Sequence, residues 1–373
     1  MTDLDAPSEL HRRIREEIVG AGGAIAFVRF MELALYAPGL GYYERGRQAV
    51  GKDGDFFTSV SVGTLFGELL AFQFADWLAA LPGAVQIAEA GAHDAKLAAD
   101  ILGWLERFRP ELFGRLDYVI SEPSLPRRAW QAERLAPFPG KVRWVDAFAP
   151  GSIQGIIFTN ELLDALPAHR LGWDARQMTW FEWGVTEAPG GLAWQRLEQP
   201  PTPATLALLP ELPTELLAVL PDGFTTEVNP TATAWWRAAA EALAEGWLLT
   251  DDYGLLADEF FQPQRAAGTL RGYFQHRFAD DLLARPGEQD LTAQVNFSAV
   301  TRTGEAAGLR TETFLSQRQW LSEIMGRTGR RPGDFAPWDS ARVRQFQTLT
   351  HPEHLGRAFS VLVQRRSAGR LST

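Results

Sequence analysis

Acidic and amide side chains recur in this chain directly after short apolar runs. Glu89 follows Val85–Ala88, Glu122 follows Tyr118–Ser121 and Asp146 follows Val142–Val145. Asn160 and Glu161 follow Gly155–Thr159, and Asp251 and Asp252 close the run that starts at Gly246. An ionised carboxylate accepts several hydrogen bonds at once, so it can hold a pair of ribose hydroxyls, and its charge can orient a cation. The first of these acids opens the stretch Glu89-Ala90-Gly91-Ala92-His93-Asp94-Ala95. Beyond it, Leu97, Ile101, Leu102 and Leu105 are spaced like one face of a helix, and Asp94 can accept a free N–H in its first turn. Strand, glycine turn and helix form the opening unit of a nucleotide-binding sheet, in which glycine lets the backbone approach a ligand. A loop of the Glu-x-Gly-x-Gly-x-Gly kind would carry glycine at 91, 93 and 95. Here those positions are Gly91, His93 and Ala95, so the stretch alone reads equally as an ordinary turn.

The elements that must position these residues alternate between strand and helix from 85 to 170. Helices are expected at 94–108 and 126–135. This alternation argues for a parallel, doubly wound α/β sheet with its sites at the strand C-terminal ends. Before it, residues 9–35 read as helical with a break at Gly20–Gly23. The tyrosine-rich turn 36–43 follows, then a polar loop over 51–59 and a helix over 65–81. After it, Thr179–Trp183 and Gly191–Gln195 read as a hairpin about Pro189, and 200–221 is proline-rich. A helix over 231–245 leads into a fifth strand at 246–254. The alternating run 359–366 reads as a terminal strand, able to pair antiparallel with a neighbour near 269–275.

Composition narrows the function classes. The 373 residues are 46% hydrophobic and 22% charged, enough for a sizeable core in one or two domains. A net charge of −10 without a long basic run is a poor footprint for nucleic acid. No apolar stretch approaches the ~20 residues a membrane span needs. The six histidines form no metal-binding spacing, and no metal is expected. The absence of cysteine excludes disulfides and thiol nucleophiles and fits a reducing cytoplasm, the expected location. A homodimer is compatible with the sequence. The 13 tryptophans, including Trp173, Trp180, Trp183 and Trp194, are either core anchors or an aromatic surface.

Several patches together resemble the MidA family of class I S-adenosylmethionine-dependent methyltransferases. They are residues 30–43, 54–59, 65–70, Asn160–Pro167, Asp252–Gly254, Gly268–Arg271, Gln275–His276 and Pro286–Asp290. Mitochondrial members of that family are arginine methyltransferases that assist complex I assembly. The resemblance implies a Rossmann-like core, mostly parallel with an antiparallel terminal strand, an N-terminal helical segment and insertions after the fourth strand. It implies an N-terminal segment with a site-covering loop over 1–82, and the first part of the core over 83–170. A hairpin and proline-rich insertion follow over 171–228, then the second part of the core over 229–373, itself carrying an insertion near 277–345. S-adenosyl-L-methionine is the implied cofactor. Glu89 and Gly91 match the acid and first glycine of the cofactor loop, Glu122 the ribose-side acid, and Asp146 the adenine side. Gly54, Asp55 and Thr58 match the covering loop, and Asn160 and Glu161 the substrate-side motif. A protein, methylated at arginine, is the implied substrate, with Glu161 orienting the guanidinium and Asn160 assisting. Arg271, Tyr273 and His276 are implied to line or support the cleft.

The chain departs from the family pattern at four positions. His93 and Ala95 replace glycines, Ser61 stands where glutamate is usual, and Asn296 where aspartate is usual. A Cβ at 93 or 95 could fill space the cofactor needs, and a positive φ there would add about 1–2 kcal/mol of strain. These departures motivate an alternative: a member that has kept the fold, lost the chemistry and serves as a protein-binding or assembly factor. A third reading is a different nucleotide bound through the altered loop, with His93 as a contact.

Overall fold

The computed structural model describes residues 8–45, 58–275, 277–352 and 355–367. These fall into two compact units. One comprises the described residues of 1–56, 164–233 and 255–299, and the other those of 57–163, 234–254 and 300–373.

The second unit is built on a seven-strand path. In chain order its strands are β1 (Val85–Ala90), β2 (Leu116–Ser121), β3 (Val142–Val145), β4 (Ile153–Asn160), β5 (Leu243–Leu255), β6 (Arg310–Ser316) and β7 (Phe359–Arg366). Their spatial order is β3-β2-β1-β4-β5-β7-β6. β3, β2, β1, β4 and β5 run parallel, while β7 lies antiparallel to β5 and β6 antiparallel to β7. The strand order therefore reverses between β1 and β4, and the crevice beyond their C-terminal ends is the natural ligand position of such a sheet. The central strands are aliphatic because both faces are covered. Ile87, Tyr118, Ile120, Ile156 and Phe158 share one cluster with the Leu65–Leu78 and Lys96–Phe108 helices, including Phe72, Leu97, Ile101 and Leu105.

Two expectations are corrected here. The terminal strand pairs with Leu243–Leu255 and Arg310–Ser316, not with a strand near 269–275. Arg310–Ser316 itself has no clear strand pattern. It is an edge strand with alternating exposed residues, so it lacks the apolar run that marks the inner strands. The helix expected over 231–245 spans Pro230–Ala242, and the fifth strand begins at Leu243.

The first unit contains the helices Glu9–Gly20 and Phe27–Tyr36, which bury Leu10, Ile14, Ile18, Phe27, Phe30, Met31 and Leu35. Its larger sheet includes Ala24–Ala26, His169–Asp174, the hairpin Thr179–Ala188 and Gly191–Arg196, and Thr225–Val228. A separate three-stranded sheet joins Arg271–Phe274, Arg277–Ala279 and Asp290–Thr292. The tyrosine-rich turn packs into this unit. Tyr43 donates to Asp290 Oδ1 at 2.9 Å, and Tyr36 donates to the Ala165 carbonyl at 3.0 Å. Trp173 is buried against Trp180 and sits in one cluster with Phe224 and Phe261. Trp194 packs on Phe27. Trp173 is thus a core anchor, while Trp180, Trp183 and Trp194 are half-buried.

Candidate active site at the strand ends

The parallel register brings the acids into line. Ala90, Ser121 and Val145 are successive register partners across β1, β2 and β3, while Asn160 and Asp251 are partners across β4 and β5. Thr159 and Ala90 are also partners, so Gly91 follows on the row of Asn160. Asp146, Glu122, Gly91, Asn160 and Asp251 thus occupy one row at the C-terminal edge. Asn160 and Asp251, in register within their strands, share a face of the sheet.

The loop after β1 has the backbone its glycine-rich counterpart would need. Gly91 has φ 77°, His93 φ 45° and Ala95 φ 61°, all left-handed. For His93 and Ala95 this costs roughly 1–2 kcal/mol each, and it persists only because neighbours hold it. Gln131, wholly buried, donates from Nε2 to the His93 carbonyl at 3.0 Å and to Glu122 Oε2 at 3.3 Å, and accepts from Trp144 Nε1 at 2.8 Å. Asp94 accepts from Lys96 N, a free N–H of the first helical residue, at 3.0 Å and pairs with Arg134, while the N-cap position expected for it is taken by Ala95. The neighbouring imidazole of His93 helps hold the Asp94 carboxyl down at about 2, against its burial.

The two replacement side chains have neighbours of their own. The Ala95 methyl is fully buried in the hydrophobic cluster with Leu97, Ala98 and Ile101. His93 lies beside Asp94, with Nδ1 3.8 Å from Oδ1. At Gly91, by contrast, a Cβ would meet Leu162 at 3.3 Å in a backbone that disfavours side chains.

Glu122 is 2% exposed and accepts from Ser124 N at 2.9 Å; Arg127 lies 3.5 Å away. Each of its oxygens has a second lone pair, so the group retains capacity for a diol. Asp146, whose side chain is 86% exposed, pairs with Arg128, which also donates to the Glu122 carbonyl. Glu89 is buried and accepts from Tyr118 Oη at 2.6 Å. Burial pushes its carboxyl up to about 7, only partly offset by that hydrogen bond. The acids, the left-handed loop and the spare acceptor capacity of Glu122 fit an adenosyl cofactor.

On the other side of the crevice, Asn160 Nδ2 donates to Glu161 Oε1 at 2.9 Å, and Glu161 takes φ 52°. Asp252 Oδ2 accepts from Leu162 N at 3.2 Å and Leu163 N at 2.8 Å, fixing the chain after β4. Thr159 donates to Thr250 across the same two strands at 2.9 Å.

Of the covering-loop residues, Gly54 and Asp55 lie outside the described residues, as does His276. Thr58 caps the turn Ser59–Val62, its Oγ1 accepting from Ser61 N at 3.2 Å, and Ser61 Oγ returns a bond to the Thr58 backbone. Serine at 61 thus has a local capping role. Asn296 likewise accepts from Ala299 N at 3.0 Å, the task an aspartate would perform at a helix start. Arg271 is exposed, and Tyr273 packs on Phe278 in the three-stranded sheet. The sequence pointed to neither Tyr118 nor Gln131. Tyr118 carried one signal, a hydroxyl in an otherwise aliphatic strand; Gln131 carried none. Among the described residues no cluster of His, Asp or Glu could hold a metal ion, and no helix is long and apolar enough to cross a membrane.

Residues 69–315 match the model of a family described as "Putative S-adenosyl-L-methionine-dependent methyltransferase". A crystal structure from Burkholderia thailandensis, described as a "likely methyl transferase" bound to S-adenosyl-homocysteine, is 32% identical with a TM-score of 0.83. That match covers 98% of this chain and 96% of the other. The mitochondrial protein arginine methyltransferase NDUFAF7 homolog of Drosophila melanogaster is 26% identical, covering 95% of this chain and 84% of its own. The mitochondrial protein arginine methyltransferase NDUFAF7 of Rattus norvegicus is 27% identical, covering 90% and 80%. These relatives are named as mitochondrial, and that overturns the cytoplasmic expectation. Absence of cysteine is compatible with any redox environment, so it does not single out one compartment.

Proposed function

Because the chain belongs to this S-adenosyl-L-methionine-dependent methyltransferase family, we propose that it methylates the guanidinium of an arginine in a protein substrate. The observation that carries the reading is the Asn160–Glu161 pair at the end of β4, beside the strand-order reversal. The names of the curated relatives point the same way.

When bound, the cofactor supplies an electrophilic methyl group on a sulfonium. Glu122 would hold the ribose hydroxyls, Asp146 would lie on the adenine side, and Glu89 and Gly91 would shape the loop beside the methionine portion. Gly54, Asp55 and Thr58 would belong to the covering loop by family likeness. The acceptor needs more help. A guanidinium stays cationic in water, with its nitrogen lone pairs delocalised. A carboxylate on one side orients it and concentrates its positive charge away from the attacking nitrogen. Glu161 is the group for this, and the hydrogen bond from Asn160 fixes its carboxylate. The left-handed backbone at Glu161 is the kind of local strain that functional positions retain. Positioning and electrostatics of this kind are the main contributions a protein can make to an in-line displacement.

The test has two stages. Calorimetry with S-adenosylhomocysteine should give saturable binding. Peptides carrying arginine, lysine or glutamine are then offered with S-adenosylmethionine, and products are read by mass spectrometry. Mass gain on arginine supports the reading, and exclusive labelling of lysine or glutamine would sink it.

A further inference from the structure

Asp251 is 1% exposed, yet neither carboxyl oxygen has a hydrogen-bond partner among the described residues. A buried polar group without a partner loses its hydration with no return, so such groups are rare and need a reason. Next to it, Asn160 Oδ1 is also buried and unpartnered. The two residues are register partners on β4 and β5, and Glu161 N donates to the Asp251 carbonyl at 3.0 Å. Three acceptor atoms therefore lie unmet at one end of two adjacent strands, beside the carboxylate of Glu161.

We propose that Asp251 is a second acceptor-binding carboxyl, and that its two oxygens, with Asn160 Oδ1, receive N–H groups of the incoming guanidinium. This inference rests on the arginine reading above. A guanidinium carries five N–H donors in a plane and no acceptor, which matches three oxygen atoms that can all accept once Asp251 is ionised. A lysine ammonium, a point charge with three donors, could not span both carboxyls and the amide in one plane.

In the free protein the Asp251 carboxyl is biased toward its protonated form. Burial raises its affinity for the proton, and the charged groups facing it, Glu161 beyond β4 and Asp252 on its own strand, raise it further. Arrival of the cation reverses this. The Asp251 carboxyl gives its proton to solvent, and a carboxylate–guanidinium pair remains. Binding of an arginine peptide should therefore be accompanied by net proton release from this group.

The experiment is calorimetric titration of an arginine peptide into the protein saturated with S-adenosylhomocysteine, at pH 6.5 in buffers of different ionisation enthalpy. Asp251→Asn is the variant, because an amide copies the shape of the neutral acid but cannot ionise. Wild type should release protons on binding peptide, up to one per peptide. Asp251→Asn should release none and bind at least about tenfold more weakly, with unchanged S-adenosylhomocysteine affinity and no loss in Tm. Equal peptide affinity and proton count in the two proteins would overturn the inference while leaving the arginine reading intact. A clear loss of Tm in the variant would assign Asp251 a structural role and also overturn it. A wild type that binds arginine peptides no better than lysine ones would remove both readings together.

Discussion

The two halves of the strand-end row treat their polar groups differently. On the β1–β2–β3 side, Glu89 is held by Tyr118, Glu122 by Ser124 and Gln131, Asp94 by Lys96 N and Arg134, and Asp146 by Arg128. On the β4–β5 side, both Asp251 oxygens and Asn160 Oδ1 are buried without partners among the described residues. A site for a constant cofactor gains from pre-organisation, since binding then costs little ordering. A site for an acceptor that enters and leaves can keep hydrogen-bonding capacity in reserve, at a cost in stability of the free protein. On the proposed roles, the contrast makes the row one structural device with two chemical tasks.

The largest way to break the comparison is at Glu161. Glu161→Gln should lower the methylation rate by about 10²–10³, the scale of losing a positioned electrostatic group, with S-adenosylhomocysteine affinity nearly unchanged. Parallel loss of cofactor affinity in calorimetry would erase the division between the halves.

Glu89 tests the pre-organised side through stability. The folded state keeps its proton up to about pH 7, while the unfolded chain loses it near 4.5. Between these values the folded state binds more protons, so its stability falls as pH rises from 4.5 to 7, by roughly 3 kcal/mol from this group. Glu89→Gln removes that loss and should be the more stable protein at pH 8 but not at pH 4.5. Urea midpoints at both pH values check this, and a pH-independent difference would show that burial does not govern Glu89.

Glu122→Gln should weaken S-adenosylhomocysteine binding by about 10- to 100-fold, because a charged hydrogen bond is worth roughly 1.5–3 kcal/mol. The acceptor side should respond little, so the KM for peptide is the control. The smallest effect belongs to the loop. His93→Gly relieves a left-handed imidazole-bearing residue and should stabilise the protein by about 1 kcal/mol, with cofactor affinity changed by less than about threefold. A large gain in affinity would mean that the imidazole intrudes on the cofactor after all.

Much of this site is legible along the chain because strand ends carry a local signature. Aliphatic runs of strand length stop at a polar residue, and five of them in parallel must bring those residues to one edge. Glu89, Glu122, Asp146, Asn160 and Asp251 could be picked out in that way, and Asp94 could be recognised as an acceptor for a free N–H in the first turn, though not its position relative to the cap. The hairpin about Pro189 was legible for the same reason, since its turn chemistry is local. Arg310–Ser316 was not, because an edge strand needs no apolar run. Nor was the partner of 359–366, which depends on which edge of the sheet is still open.

What the sequence determined by itself is the alternation that makes a parallel sheet, the acids at its edge and the weak glycine content of the first loop. Tertiary structure alone decided how that loop is held. Gln131, 38 residues from His93, ties its carbonyl to Glu122, and the core takes up the Ala95 methyl. It also decided that Glu89 meets Tyr118 while Asp251 meets no partner among the described residues. Hydrogen-bond satisfaction depends on atoms brought together from distant parts of the chain, and no local pattern encodes which of them arrive.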